Sequence, residues 1–397
     1  MAADTETTQT AAPEPAADTP LRLRTVTAEG VLTLAGAAAG ALGLDWVLYE
    51  RVLPFSGVLG FWVSWYALFL VLYTAVAALQ WDKLSVRDKF CSVAFTTGGL
   101  LATAIVIDQV AYTLVRGWAA VKFPRFFTQT MADEGPLSPI QVGGVAHALV
   151  GTLEQILLGT ALAVPLGLLA ALYLAEVGGR AARPVRTLVD AMTALPDIIA
   201  GLFILAFCVL TLGLPKSGFA ASLALAITML PIVTRASEAV LRIVPGTLRE
   251  ASYALGGSQW RTVLNVVLPT ARSGLATAVV LAMARGIGET APVLLVAGYA
   301  RGMNTNPFHG WQTSLPLYIY YEVTSPVPDD KIRAFGGGFA LVLLVLVLFT
   351  IARRIGGGAP GELTRRQRRR LEKQDAARQI EAGQRLTNSG AAEGAEA

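Results

Sequence analysis

In a chain of 397 residues with 54% apolar and only 15% charged positions, too little polar surface exists to cover a soluble domain of this size. The balance identifies a membrane protein, and for a net charge as modest as +4 the placement says more than the size. Cys91 and Cys208 both fall in apolar stretches and provide neither a disulfide framework nor a metal cluster.

In chain order, residues 1–29 are rich in Ala, Pro, Thr and acidic residues, the composition of a disordered leader. They lack the basic start of a signal peptide, so no cleavage is expected. A spanning helix needs about 20 mostly apolar residues, because lipid offers its backbone no hydrogen bonds. Eight stretches approach that length: 31–49, 55–79, 90–115, 153–175, 198–214, 219–233, 274–297 and 339–351, the fifth and sixth being short. The expected fold is therefore an all-α integral membrane protein.

Lysine and arginine set the orientation. Lys83, Arg87 and Lys89 follow the second stretch, and Arg180, Arg183 and Arg186 follow the fourth. Arg235, Arg242, Arg249, Arg261 and Arg272 follow the sixth; Arg353, Arg354 and the run Arg365-Arg366-Gln367-Arg368-Arg369-Arg370 follow the eighth. The alternate connections are poorer, with Arg51 and Lys216. Both termini are thus expected in the cytoplasm, with the connections 118–150 and 299–334 outside. A basic tail beside a span suits anionic headgroups, and no nucleic-acid partner is expected.

The loop near 238–270 combines Glu250-Ala251-Ser252, Gly256 and Val266-Val267-Leu268-Pro269. Residues 241–255 mix apolar and charged positions as a short interfacial helix would, interrupted at Pro245-Gly246. Gly256-Gly257 should end it, and a helix should restart over 260–267 towards the membrane. Such a water-exposed knob suits a grip by another protein.

Arg285 falls in the middle of the seventh stretch, where a lone arginine costs about 2.5–3.5 kcal/mol and should face protein or a wet cavity. Glu289, four positions on, shares its helix face; Thr290 adds a hydroxyl, Pro292 should bend the helix, and Gly286 and Gly288 leave room. Two readings stay open: a cationic step for an oxyanion, which a planar guanidinium can hold by two oxygens, or a self-neutralised pair locking helices. Arg235, with Glu238 three positions on, lies at the inner end of the sixth stretch. Asp45, near an outer end, reads as a hydrated carboxylate, and His147 and His309 read as polar outer-loop residues. No Gly-x-x-x-x-Gly-Lys-Ser/Thr run occurs, so the chain is not expected to be an ATPase itself or to hold a cofactor.

The Glu-Ala, Gly and Leu-Pro spacing resembles the coupling loop of permease subunits of ATP-binding-cassette importers. The runs Val244-Pro245-Gly246-Thr247-Leu248-Arg249-Glu250 and Ala284-Arg285-Gly286-Ile287-Gly288-Glu289-Thr290-Ala291-Pro292, with Pro196-Asp197-Ile198 and Leu315-Pro316-Leu317-Tyr318, are similar to the phosphate-specific (PstA) permease family. Asp197 stands where that family more often has a small hydroxyl residue, and Ser252 replaces an alanine. The resemblance implies a six-span type I importer core over 90–356, after a two-span extension (30–89) and before a basic tail (357–397). It implies coupling through Glu250, Ala251, Ser252, Gly256, Val266, Leu268 and Pro269. It implies a pathway through Arg285, Glu289, Arg235 and Thr290. The implied partners are a second permease subunit, an ATPase dimer binding ATP and magnesium, an extracytoplasmic phosphate-binding protein and the bacterial plasma membrane. The rival readings are a permease for another oxyanion, such as sulfate or molybdate, and a phosphate-starvation signalling scaffold.

Overall fold

The computed structural model describes residues 28–52 and 57–356; the expected disordered leader and basic tail lie almost wholly outside the described residues. Every regular element among the described residues is helical. Two compact units divide near residue 108.

In the first unit α1 (Ala28–Val47) and α2 (Val58–Gln80) form a hairpin, followed by the start of α3 (Lys83–Val121). Residues spaced three and four apart put Trp62, Trp65, Phe69 and Tyr73 on one face of α2, their rings 5.5–6.1 Å apart in sequence. Ala37 and Ala41 are small enough for this face to close onto α1, and Trp65 Nε1 donates to the Ala38 carbonyl at 3.2 Å. That close packing corrects one expectation: Asp45 is buried, with one carboxylate oxygen unpartnered, not hydrated.

The second unit holds the rest of α3 and all later helices. α4 (Ala146–Leu172, continuing through a widened turn to Val177) packs along α7 (Gly218–Ile243). Ala163, Ala220, Ala221, Ala224 and Gly159 at this seam let the backbones approach, as membrane helices require in the absence of a hydrophobic drive. His147 lies buried in the first turn of α4, beside the Tyr318 ring, and not in a loop. α10 (Leu268–Ile287) packs on α7 and on α13 (Pro328–Gly356), which α12 (Leu315–Thr324) also touches.

Two expected spans are broken. The fifth is half of a bent pair, α5 (Ala182–Ala194) and α6 (Asp197–Ile204, wound on to Thr211), which meet at 101°. Pro196 disfavours helical geometry at Leu195, whose backbone is extended. The seventh runs as one apolar helix over Gln259–Ile287, built from α9 (Gln259–Thr262), a widened turn at Val263–Val267, and α10. It stops at Gly288-Glu289-Thr290 and resumes as the short α11 (Ala291–Val296). The Pro292 ring cannot follow a helical carbonyl at residue 288, so the expected bend is a full break. The described residues hold seven helices long and apolar enough to cross a membrane, eight with the bent pair counted as one.

A fully buried Arg333 at the start of α13 fastens the preceding loops. It pairs with Asp330 at 2.6 Å and Glu134 at 3.4 Å and donates to the carbonyls of Ser138 and Pro139. Glu134 also pairs with Arg301.

Candidate functional site

The break after α10 gathers three charged side chains. Arg285 occupies the last turn of α10 and reaches Glu289 from Nε at 3.1 Å, as the i to i+4 spacing predicted. Its Nη2 pairs with Asp197, the first residue of α6. Asp197 arrives because α6 seats on α11: a side chain at Gly201 would strike the Pro292 backbone, so only glycine permits this approach. Arg285 is therefore not in mid-helix but at a helix end, 52% exposed, beside Asp197 at 31% and Glu289 at 13%. Thr290 stands at the start of α11 next to Glu289, its side chain making no capping bond.

Behind Glu289 a cavity of about 10 Å³ is bounded by Thr152, Gln155, Ile156, Gly286 and Ser314. Gln155 Oε1 and Ser314 Oγ are buried there without hydrogen-bond partners. That volume matches one water molecule, and the two atoms supply it with polar partners.

Arg235 lies on α7 and pairs with Asp190 of α5 and, at 3.1 Å, with Glu238. The buried Glu238 also receives Arg186 and Arg242, both at 2.8 Å, and so clamps α5 to the end of α7. Gly274 rests against Val240 and Gly286 against Met229, so α7 and α10 run antiparallel. Arg285 then lies level with residue 230, about five residues and roughly 7.5 Å of helical rise from Arg235. Each of the two arginines has its own carboxylates, and they do not share one site.

The loop beyond α7 folds as its spacing predicts. α8 (Gly246–Ala254) starts after Pro245 and buries none of its residues; Glu250 and Ala251 are exposed. Gly256, at φ +81°, ends it with the left-handed turn that glycine favours, donating to the Tyr253 carbonyl at 2.9 Å. Ser252 Oγ meets Thr262 Oγ1 at 2.8 Å, tying α8 to α9. Leu248, Ala251, Ser252, Leu255, Asn265 and Val266 line an open cleft of about 390 Å³, with Leu255, Trp260 and Leu264 exposed nearby. Exposed apolar patches of this kind mark protein or membrane contacts. Leu268 and Pro269 stand apart from the knob, in the first turn of α10.

Four further residues hold these sites together. Asp197 and Asp190 partner the two arginines, and Glu176 receives Arg249 through two bonds of 2.7 and 3.2 Å. Arg249 also donates to the Leu241 and Val244 carbonyls, closing the end of α7. Arg249 was visible as an orientation charge and as a member of a family run, but its tie to Glu176 was not, since 73 residues separate them.

The family model "Binding-protein-dependent transport system inner membrane component" matches residues 163–357. "Phosphate transport system permease protein PstA 1" of Mycobacterium tuberculosis (strain CDC 1551 / Oshkosh) is 40% identical over 264 residues, 66% of this chain and 86% of the relative. The PstA protein of Haemophilus influenzae is 37% identical over 247 residues, covering 60% and 83%. Among solved structures, an inward-facing MetNI methionine ABC transporter matches at TM-score 0.43 and 23% identity, over 54% of this chain and 93% of that one.

Proposed function

The chain belongs to the PstA family of phosphate transport permeases, multi-pass inner-membrane subunits of ABC importers, and from that premise we propose that it carries inorganic phosphate inward with high affinity. It forms one half of the pathway; a second permease subunit forms the other, and an extracytoplasmic phosphate-binding protein delivers the cargo. An ATPase dimer, holding ATP and magnesium, grips α8 and its cleft from the cytoplasm, where both termini also lie. The six-span core follows a two-span extension.

The observation that carries this reading is the half-exposed guanidinium of Arg285 at a helix break inside a spanning bundle. A charge at that depth must face water or another subunit, not lipid. Its planar fork stays charged at every working pH and can hold two phosphate oxygens. Thr290 offers a hydroxyl beside it, and Arg235 offers the next cationic step towards the cytoplasm. Glu289 competes for the fork and so keeps the anion from being trapped.

Uptake of radiolabelled phosphate in cells lacking the gene, restored by the wild-type chain, tests the proposal. Arg285→Leu should abolish uptake while the ATPase still co-purifies. Unchanged high-affinity phosphate uptake in the deletion, with sulfate or molybdate uptake lost instead, refutes phosphate and leaves another oxyanion as cargo.

A further inference from the structure

We propose that Asp197 is a latch on the anion step: it occupies one edge of the Arg285 guanidinium and must leave before cargo binds. The inference rests on the reading that Arg285 receives the transported oxyanion.

The geometry distinguishes the two carboxylates. Glu289 takes Nε and Asp197 takes Nη2. A bidentate oxyanion needs two neighbouring N–H groups. Withdrawal of Asp197 removes one of the two carboxylate charges and leaves Nη2 to serve the outer edge with Nη1, while Glu289 continues to hold the guanidinium in place. Loss of Glu289 instead frees Nε while the Asp197 charge stays against Nη2. Asp197 is also the more exposed of the two, so water can compensate it on release.

The supporting elements suit a residue that yields. Asp197 follows Pro196 at the 101° junction of α5 and α6, a point where the chain already lacks helical hydrogen bonds. One turn further on, Gly201 against Pro292 provides a close seat about which the start of α6 can pivot. Glu289, by contrast, sits in the break directly after α10 and moves with Arg285. Two carboxylates against one guanidinium leave excess negative charge, so an arriving anion and Asp197 repel each other. Binding therefore opens the α6–α10 contact, and release of the anion recloses it.

The test uses the assembled transporter in vesicles with its binding protein and radiolabelled phosphate. Asp197→Asn keeps the shape and removes the competing charge. Half-saturating phosphate should fall by roughly ten-fold, the size of a charge-assisted contact, and maximal uptake should fall with it as release slows. Asp197→Glu, which keeps the charge, should restore the wild-type pattern. Misfolding lowers maximal uptake without tightening half-saturation, so it does not mimic this split. If Asp197→Asn fails to assemble, the smaller Asp197→Ser takes its place. If both neutral variants fail while Asp197→Glu assembles, Asp197 is a structural tie and the latch is overturned. An unchanged or raised half-saturation in an assembled neutral variant overturns it too. No uptake by the wild-type transporter overturns the phosphate reading and the latch together, whereas wild-type uptake with no split removes the latch alone.

Discussion

Because α8 buries none of its residues, its position relative to the bundle depends on its side-chain bonds, and Arg249 makes most of them. Arg249→Ala removes four hydrogen bonds at once. It leaves the Glu176 carboxylate, only 6% exposed, without its cation, and leaves two carbonyls at the end of α7 unpaired. Removing one partner from a buried ion pair costs about 3–5 kcal/mol, and Arg249 keeps a fifth of its side chain in solvent, so about 3 kcal/mol is the appropriate figure. That shifts the local order of α8 by roughly 150-fold. Hydrogen exchange of the complex reads it directly: amides of 246–257 should lose protection by about two orders of magnitude, while those of α4 and α7 hold theirs. Phosphate-stimulated ATP hydrolysis should fall in parallel. Protection of α8 within three-fold of wild type refutes the argument, because the knob is then held by something other than this clamp. Arg249→Lys should fall between the two, since an ammonium keeps the charge and loses the fork.

Gly256→Val forces a β-branched residue to φ +81°, at a cost of about 1–2 kcal/mol or more, and should weaken attachment of the ATPase; complexes that co-purify as well as wild type refute this. Gln155→Leu with Ser314→Ala removes the two unpartnered polar atoms from the cavity behind Glu289, so an experimental map that shows bound water there in the wild type should lose it in the double variant. Glu322, in the short α12, is held above the usual carboxylate range by burial, against the opposing 2.7 Å bond from the Tyr299 hydroxyl and with the Asp330 charge adding to the rise. Folding thus favours its neutral form, and its contribution is complete below pH 4.5 and lost as pH climbs through the raised value. Thermal stability of the subunit should decline over that interval in the wild type and decline less in Glu322→Gln.

Helix existence was legible because apolar length alone decides it, and the turn at Gly256 was legible because a positive φ leaves few alternatives to glycine. The breaks were less so. Residues 274–297 are apolar on both sides of Arg285–Thr290, and Pro292 was the hint that the backbone could not follow. Arg183 and Arg186 read as orientation charges, yet they ride on the amphipathic α5, where Arg186 closes on Glu238 across 52 residues. Asp197 read only as a departure from the family pattern; its partner is 88 residues away. Ion pairs of this separation depend on which helices pack, and local spacing says nothing of that. Arg285 with Glu289 was found because four residues along the chain is a local distance.

The two candidate sites are joined by a single element. Gln259–Ile287 runs as one helix of 29 residues, about 43 Å of rise, from the cleft beside α8 to Arg285 in its final turn. Its widened turn at Val263–Val267 is braced by the buried Val263 and Val267. On the proposed reading the ATPases move this rod, and with it the guanidinium. Asp197 belongs to α6, which is seated on α11 beyond the break, and so does not share the rod's motion. Any axial shift therefore changes the Arg285–Asp197 contact first and leaves the Arg285–Glu289 contact nearly intact. Placing the break immediately after the arginine is what turns a mechanical displacement into a change of the charge presented to the anion.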